Sequence, residues 1–471
     1  MNKFKPINTE QLYLLPPSIE DFIPPHHLAR MIDEVVDTFD VSEIEVHYSH
    51  LGQKSYHPHL LLKLLFYGYA IGIRSGRKIA GACESDTAFM YLANMYRPDF
   101  RTLNDFRKNN IDFVQKAFVH IVKLCKQVGM AKAGMLIIDG TKLKANASGD
   151  KTKTKESLEQ WNERIENDIQ NILQQADQTD KEEDKLYGDN RGDELPTELT
   201  DKQKLRAKIQ QALQQMKEED KRINLTDNEA KFIRSKNGID INYNCQTAIS
   251  EDGIILNAYT CNDASDRTQT ITIIKQTEQL LEEQYEEILA DSGYASYDNL
   301  EKLEHLRKIV YMPDQQMLIE QKQAALNPYH KNNFLYNELH NHYRCPQNKI
   351  LTYQNHSYRL KEKQQSGIYK SKECKNCEVQ PQCVTKGIYR TIQKEDREHL
   401  RQQVRDRLQT KEGKQRYLKR MRIESVFGHL KNNLKYINLQ LRGIKKTTAE
   451  WQLMCIGYNL TKLYKRKLQL I

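Results

Sequence analysis

The chain has 471 residues, of which 38% are hydrophobic and 29% are charged, and its formal net charge is +9. This composition predicts a globular protein of several domains, since a domain usually contains roughly 100–200 residues. The most apolar segment, residues 59–73, contains Lys63 and is shorter than the roughly 20 residues that a membrane-spanning helix needs. We therefore expect no membrane span. Because no apolar signal segment opens the chain and most cysteines are scattered, we expect a cytoplasmic protein.

Residues 1–130 are predicted to form an all-helical N-terminal domain. Its first clear helix follows the prolines at 24–25, as helix starts often do. Segment 59–73 is the expected central helix, and short helices interleaved with arginines follow it. This arrangement resembles helix-turn-helix DNA-binding domains. The alternative is a helical cap with a purely structural role.

A mixed α/β core is predicted to begin with residues 131–149 and to continue with residues 223–309. The run AGMLIIDGTKLKANAS contains a short apolar strand that ends at Asp139. Hairpin strands with NG and EDG turns follow, then a helix with Ser265 or Asp266 as its cap, a second short strand that ends at Asp291, and another helix. This mixture of strands and helices indicates an α/β core.

Residues 150–222 are predicted to be an insertion that folds as an antiparallel, coiled helical hairpin. Apolar residues recur there at helical spacing on both sides of a polar loop. The alternative is a disordered segment, because the stretch is rich in Gln, Glu, Asp and Lys. The recurring residues are Leu158, Trp161, Ile165, Ile169, Ile172, Leu205, Ile209, Leu213 and Met216.

Residues 310–395 are predicted to be a second, Cys-rich insertion. Four thiols that include a CxxC pair are suited to a closed, structural Zn²⁺ site, which would stabilise a segment with little core of its own. His342 is a candidate substitute ligand, and the alternatives are a redox pair or free thiols. The four cysteines are Cys345, Cys374, Cys377 and Cys383.

Residues 396–471 are predicted to be basic helices that complete the core. From residue 411 to the last residue, 15 Lys and Arg stand against three acids. Such a surplus favours a polyanionic partner, most simply nucleic acid. The alternative is a solvated basic helix face.

Asp139 and Asp291 are the candidate metal ligands of the core. Each ends a short apolar strand and precedes a small-residue turn, and functional groups of α/β sheets gather beyond strand C-termini. Two such carboxylates on neighbouring strands suit Mg²⁺ or Mn²⁺. Taken singly, each aspartate is also explained as a turn former or a helix cap. Asp263 and Asp266 are rival acids, but helix capping explains their position in a loop before a helix.

One acid, Glu424, lies within the basic run RYLKRMRIESVFGHLKNNLKY at residues 416–436. If this run is one helix with about 100° per residue, Tyr417, Arg420, Glu424 and Lys431 fall within about 60° of one another. An acid gains little beside DNA phosphate, whereas a metal ion can bridge carboxylate and phosphate. Glu424 is therefore predicted to be the third metal ligand, and the alternative is a surface pair with Arg420. The residues expected to pack on the core are Ile423, Phe427, Leu430 and Leu434.

These residues resemble a known family of DNA-rearranging enzymes. The spacing Tyr417-x2-Arg420-x3-Glu424-x6-Lys431 is similar to the Y-(2)-R-(3)-E-(6)-K signature of the IS4-type DDE transposases. The runs IIDGTKLKANAS and ILADSGYASYDNL resemble the two aspartate blocks of that group. The N-terminal helices resemble those of transposases of the IS1182 insertion-sequence family, so the resemblance covers nearly the whole chain.

The resemblance implies an RNase H-like catalytic core. Asp139, Asp291 and Glu424 would form its DDE triad and hold catalytic Mg²⁺ or Mn²⁺. Any zinc at the cysteines would be structural and separate from these ions. The residues that the signature implies for binding DNA phosphates are Tyr417, Arg420 and Lys431.

The implied activity is DNA transposition by two-metal phosphoryl transfer. The enzyme would bind insertion-sequence ends, in part with its N-terminal domain, cleave them and join the freed 3′-hydroxyl to target DNA. The implied partners are double-stranded DNA, at terminal inverted repeats and at the target, and a second copy of the chain in a synaptic homodimer. The implied location is the bacterial nucleoid. Two alternatives stay open: an RNase H-like nuclease without strand transfer, and a non-catalytic DNA-binding protein derived from a transposase.

Overall fold

A computed structural model describes most of the chain. The described ranges are 18–48, 54–187, 197–216, 218, 220–236, 238–359, 364–384 and 387–469. Parts of all five predicted segments lie outside these ranges. They are residues 1–17 and 49–53 of the N-terminal domain, 188–196, 217 and 219 of the predicted helical hairpin, 237 of the core, 360–363 and 385–386 of the Cys-rich insertion, and 470–471 of the C-terminal segment.

Helices dominate both ends of the chain, and none in the described ranges is both long and apolar enough to cross a membrane. The helices are α1 (Leu28–Val36), α2 (Ser42–Glu45), α3 (Pro58–Ala70), α4 (Gly76–Ser85), α5 (Thr87–Leu92), α6 (Phe100–Asn109), α7 (Ile111–Gln127), α8 (Lys155–Tyr187), α9 (Thr197–Gln215), α10 (Thr270–Leu281), α11 (Tyr297–His305), α12 (Gln315–Leu326), α13 (Gln380–Cys383), α14 (Glu398–Gln409), α15 (Lys411–Leu418), α16 (Met421–Gly428) and α17 (Ile444–Gln469). The strands are β1 (Met135–Lys144), β2 (Thr152–Thr154), β3 (Arg222–Asn224), β4 (Lys231–Ser235), β5 (Gly238–Ile249), β6 (Ile255–Cys261), β7 (Glu287–Leu289), β8 (Ile309–Tyr311), β9 (Leu335–Asn337), β10 (His342–Arg344), β11 (Ile350–Arg359), β12 (Gln364–Lys370) and β13 (Thr391–Glu395).

The N-terminal helices are organised around α3, which is buried along most of its length. Pro58 occupies its first turn, where a missing N–H costs nothing, and His57 Nδ1 accepts the N–H of His59 at 3.2 Å. Helix α17 crosses α3 at Gly457, where a Cβ atom would lie only 2.6 Å from the backbone carbon of Tyr69. The predicted helical character of this region is confirmed. Its apolar residues share one hydrophobic cluster with the α/β part of the chain.

The main sheet has the strand order β4-β5-β1-β7-β8, and β6 also pairs with β5. Strand β1 is antiparallel to β5 and parallel to β7, and β7 is parallel to β8. Helices α10 and α17 pack against β6, and α16 packs against β1. The predicted mixed α/β class is confirmed, because one sheet contains both strand directions and carries packed helices.

Helices α8 and α9 pack against each other and have a hydrophobic cluster of their own. The short strands β2 and β3 pair where the two helices join the rest of the chain. Every apolar residue that recurs at helical spacing in this stretch belongs to the cluster or packs against it. The apolar periodicity therefore marks the face along which the helices meet.

The second sheet is antiparallel, with the order β13-β12-β11-β10-β9. Its separate hydrophobic cluster is small. The buried members of that cluster are Phe334, Leu351, Tyr369 and Ile392. The cysteines Cys345 and Cys383 pack against it, so the Cys-rich segment depends on few apolar contacts.

Candidate functional site

Strands β1 and β7 form a fork that holds two of the predicted acids. The strands pair in parallel only as far as Ile137 and Leu289. Asp139 lies two residues beyond this point on β1, and Asp291 lies two residues beyond it in the loop after β7. The prediction that Asp139 ends its strand is wrong, because pairing with β5 continues β1 to Lys144. The fork gives both carboxylates access to the same space.

A single guanidinium group contacts all three predicted acids. Arg420 Nη2 lies 3.1 Å from Asp139 Oδ2 and 3.9 Å from Asp291 Oδ2. Arg420 Nη1 lies 2.8 Å from Glu424 Oε1, so the surface pair that is the alternative explanation of Glu424 is also present. The fold thus brings together carboxylates from β1, from the loop after β7 and from α16.

The predicted Tyr-Arg-Glu-Lys row is divided among several elements: Tyr417 is on α15, Arg420 is in a break, Glu424 is on α16 and Lys431 is in a π-helical turn. A break at Lys419 and Arg420 separates α15 from α16, and a π-helical turn follows α16. Residues 416–436 are therefore not one uninterrupted helix, as the angular projection assumed. The N–H of Arg420 donates to the carbonyl oxygen of Tyr417 at 2.9 Å, three residues back instead of the four of an α-helix.

Tyr417 and Lys431 stay close to the acids despite this break. Burial raises the pKa of Tyr417, on which the charges of Asp291 and Asp139 also act. Lys431 Nζ donates to the carbonyl oxygen of Lys142 on β1 at 3.1 Å, and burial lowers the Lys431 pKa. Both side chains therefore border the fork.

The predicted apolar stripe attaches α16 and the following turn to the core. Ile423 and Leu430 are fully buried, and Phe427 and Leu434 are partly buried against the main hydrophobic cluster. This packing determines which edge of α16 faces the fork. Glu424 is on the exposed edge.

Asp139 is the most buried of the three acids. Its side chain is 13% exposed, against 40% for Asp291 and 58% for Glu424. Burial raises the pKa of Asp139 to about 6, while the charge of Arg420 opposes this rise and that of Asp291 adds to it. A buried carboxylate is ionised more readily when a cation lies beside it. The fork is therefore an environment that favours a bound positive charge.

A buried polar network beside Asp139 was not predicted. The carboxylate of Asp266 accepts a hydrogen bond from Lys142 Nζ at 2.9 Å. It also accepts one from Asn244 Nδ2 at 2.7 Å and one from Gln246 Nε2 at 2.7 Å. Gly140 makes room for the network, since a Cβ atom there would lie 2.5 Å from Gln246 Nε2. The sequence signal that could have indicated this network is the pair Asn244 and Gln246. They occupy alternate positions of a strand and thus lie on one face.

Of the two predicted caps, Ser265 is confirmed and Asp266 is not. Ser265 caps this turn, because its hydroxyl accepts a backbone N–H two residues further on. Asp266 turns to Lys142, a partner 124 residues away, which no local pattern indicates. Asp263 accepts hydrogen bonds from two side chains of its own loop region, in keeping with a local role.

The three carboxylates have the donor chemistry for Mg²⁺ or Mn²⁺, which bind hard oxygen ligands. As the side chains stand, no group of three or more His, Cys, Asp or Glu in the described ranges is arranged to hold a metal ion. At the fork, the guanidinium of Arg420 stands among the acids. A shared metal ion at Asp139, Asp291 and Glu424 therefore requires that the Arg420 side chain moves away.

The four clustered cysteines line one small cavity of about 20 Å³, roughly the space of one water molecule. Their thiols are free and do not form a complete ligand set, although the N–H of Lys349 donates to Cys345 Sγ at 3.3 Å. His342 does not line this cavity and stacks on His340 instead. The cysteines that share the cavity are Cys345, Cys374, Cys377 and Cys383.

Comparison with known protein families finds two matches. Residues 344–464 match a family model described as a transposase DDE domain. Residues 17–109 match one described as a transposase domain (DUF772). No curated protein matches the chain significantly. The first match includes Glu424 and its signature neighbours, whereas Asp139 and Asp291 lie outside both, so the two aspartates rest on geometry alone.

Proposed function

We propose that the protein is a DDE transposase that mobilises an insertion sequence of the IS1182 family. The convergence of Asp139, Asp291 and Glu424 on the guanidinium of Arg420 carries this proposal. The two transposase-domain matches support it from separate parts of the chain. The core that we propose is RNase H-like. Asp139 is on β1, Asp291 follows the parallel neighbour β7, and Glu424 is on α16, which packs against β1.

We assign Asp139, Asp291 and Glu424 as ligands of catalytic Mg²⁺ or Mn²⁺. When bound, such ions activate the attacking oxygen and stabilise the leaving oxygen of a phosphodiester. Asp139 supplies a carboxylate on the buried side, while Asp291 and Glu424 are more exposed and leave the outer side accessible to DNA. A site with one buried carboxylate and two more exposed ones can admit DNA from its exposed side.

Arg420, Tyr417 and Lys431 are proposed to hold the DNA phosphates at the fork. Arginine binds phosphate bidentately, so a phosphate can replace the carboxylates that Arg420 contacts in this structure. Lys431 stands beside β1 through its contact with Lys142, and half-buried Tyr417 offers a hydroxyl next to the acids. These residues would orient the scissile phosphate over the carboxylates.

The proposed reaction has two displacements. In the first, water attacks the phosphorus at the element's end, the bond to the 3′-oxygen breaks, and the freed strand carries a 3′-hydroxyl. In the second, that hydroxyl attacks a target phosphodiester, forms a new phosphorus–oxygen bond and releases a target 3′-hydroxyl. The N-terminal helices are proposed to bind the element's ends, and two copies of the chain are proposed to hold the paired ends.

Cleavage of DNA that carries the element's ends tests the triad. We expect Mg²⁺-dependent nicking by the wild type and a loss of at least about 100-fold in Glu424→Gln, because each metal ligand supports transition-state charge. Glu412→Gln is the matched control, since Glu412 is an exposed acid on α15 that pairs with Arg416. If Glu424→Gln nicks the ends as fast as the control, the assignment of Glu424 is wrong.

Adding a target plasmid separates the proposed function from its alternatives. Joined products that contain both element and target DNA are expected for a transposase. Nicked ends without joined products would indicate a nuclease. Binding of the ends without Mg²⁺-dependent or Mn²⁺-dependent nicking would indicate a DNA-binding protein that has no catalytic activity.

A further inference from the structure

An open cleft lies beside the candidate site, between helices α10 and α11 and the second sheet. Its volume is about 1280 Å³, larger than the roughly 300–1,000 Å³ of small-molecule pockets. Charged and polar side chains dominate its lining, in which only Ile271 and Ile392 have hydrocarbon side chains. The cleft therefore suits an extended, charged ligand.

Shared lining residues connect the cleft to the loop after β7, which carries Asp291. A smaller pocket includes Ser292, the residue that follows Asp291, in its lining. That pocket shares Arg267, Ser296 and Arg401 with the large cleft. A chain of neighbouring surfaces thus leads from a candidate catalytic carboxylate to the Cys-rich segment.

Three cations of the cleft, Arg267, Lys302 and Arg390, form no ion pair with an acid in the described ranges. Arg390 is half-buried, lies over the Phe334 ring and donates a hydrogen bond to the carbonyl oxygen of Tyr329 at 3.2 Å. Arg267 and Lys302 are exposed.

Other charges of the lining are neutralised, because Arg397 pairs with Asp298 at 2.6 Å and with Glu395 at 3.1 Å. The exposed positive charge without an acidic partner is therefore concentrated at Arg267 and Lys302.

Hydrogen bonds tie Arg267 and the residue before it to helix α11 and to strand β1. Its carbonyl oxygen accepts the Asn299 side-chain amide of α11 at 2.8 Å. The preceding residue, Asp266, is bonded to Lys142 on β1, the strand that carries Asp139. The position of Arg267 is thus fixed relative to the fork through hydrogen bonds at two consecutive residues.

We propose that this cleft binds the DNA backbone that continues beyond the scissile phosphate, with Arg267 and Lys302 at its phosphates. The inference rests on the proposed function, because it takes the fork as the place where the backbone is cut. Cations without protein partners contribute most to binding a polyanion, since they exchange only water and counterions for phosphate. Phosphate contacts of this kind position DNA and carry no sequence information.

The double variant Arg267→Ala/Lys302→Ala tests the cleft in a Glu424→Gln background that prevents cleavage. The probes are a fluorescent duplex with the element's end and flank, and an unrelated duplex of equal length, titrated over a range of NaCl concentrations. We expect several-fold weaker binding of both duplexes and a salt slope that is lower by about 2, one for each lost phosphate contact. The matched control is Lys275→Ala/Lys322→Ala, which removes two exposed cations that do not line the cleft.

The outcomes separate this inference from the proposed function. Unchanged affinity and slope in the double variant would overturn the cleft while end cleavage by the wild type still supported the function. A loss of equal size in the control, or a loss confined to the duplex with the element's end, would also overturn it. If the wild type fails to cleave the ends, the proposed function is wrong. The salt dependence of binding would still show whether the cleft contacts DNA. A thermal melt of each variant verifies that it is folded.

Discussion

Arg420 and Asp139 form an ion pair of 3.1 Å across 281 positions of the chain. Asp139 is on a central strand, whereas Arg420 is in the break between α15 and α16. Both side chains are largely buried, at 13% and 15% exposure. The pair therefore links β1 to the segment that carries Glu424, and it places a protein cation at the proposed metal site.

Replacing Arg420 is predicted to destabilise the metal-free protein and to increase the stabilisation that added metal ions provide. Arg420→Gln should lower the free energy of unfolding of the metal-free protein by about 1–3 kcal/mol, because Asp139 loses its charged partner. The exposed pair with Glu424 should add little. Melting temperatures with and without MnCl₂ should show a larger metal-induced rise in the variant, since the ion no longer competes with the guanidinium.

Arg422→Gln is the matched control for this prediction. Arg422 is an exposed arginine two residues after Arg420, in the first turn of α16, with no ion pair in the described part of the chain. It should melt like the wild type under both conditions. A smaller metal-induced rise in Arg420→Gln than in wild type would show that Arg420 helps to bind the metal instead of competing with it.

The raised pKa of Asp139 predicts a pH dependence of stability. The pKa is about 6 in the folded protein against 3.8 ordinarily, so the folded state binds this proton more tightly than the unfolded chain. The resulting stabilisation is complete below about pH 4 and is lost as the pH rises through about 6. The difference is at most about 3 kcal/mol.

Urea unfolding of the metal-free protein at several pH values measures this contribution. The wild type should lose stability between about pH 4 and about pH 6 relative to Asp139→Asn, which has no proton to release there. The two curves should run parallel above this interval. Parallel curves across the whole interval would show that Asp139 titrates in the folded protein as it does in the unfolded chain.

The sequence contains the residues of the candidate site but not all of the geometry that unites them. The spacing of Tyr417, Arg420, Glu424 and Lys431 indicates residues that border one fork. The break at Arg420 is not visible in the sequence, because the Arg, Lys, Leu and Met around it are good helix formers. Buried contacts such as the Arg420–Asp139 pair override that propensity.

The role of Asp266 illustrates a second limit. Its loop position is correctly recognised from local sequence, but its partners Lys142, Asn244 and Gln246 come from two strands of the main sheet. Likewise, β1 continues past Asp139 because β5 pairs with it, although the two strands are separated by an inserted helical pair. Local patterns predict elements, whereas these contacts depend on the register between elements.

Replacing Gly140 is predicted to destabilise the protein, because the polar network occupies the space that a side chain would need. In Gly140→Ala, the new Cβ would lie 2.5 Å from Gln246 Nε2 and 2.7 Å from Asp266 Oδ1. Moving these bonded groups should lower the free energy of unfolding by about 1–3 kcal/mol. Urea unfolding measures this loss.

Gly81→Ala serves as the comparison for Gly140→Ala. Gly81 is an exposed residue of α4, and a Cβ atom there would have no neighbour within 4 Å. Alanine should stabilise that helix by about 0.5–1 kcal/mol. Equal stability of Gly140→Ala and wild type would mean that the network yields without cost, which would contradict the tight packing inferred at β1.

The cysteine cavity is predicted to hold one zinc ion per chain, separate from the catalytic metal. Four thiols share a cavity of about 20 Å³, and the apolar cluster around them has only four fully buried members. Such a small core needs a further constraint, and zinc bound by four thiolates supplies one.

Elemental analysis of purified protein tests this prediction without reference to activity. Wild type should contain about one zinc per chain, and Cys377→Ser should lose most of it, because three thiolates form an incomplete tetrahedral site. Cys261→Ser, which alters a partly buried cysteine outside the cluster, should retain the ion. A zinc-free wild type that melts at the same temperature after zinc is added would show that these thiols are not a metal site, and the Cys-rich segment would then depend on its apolar contacts alone.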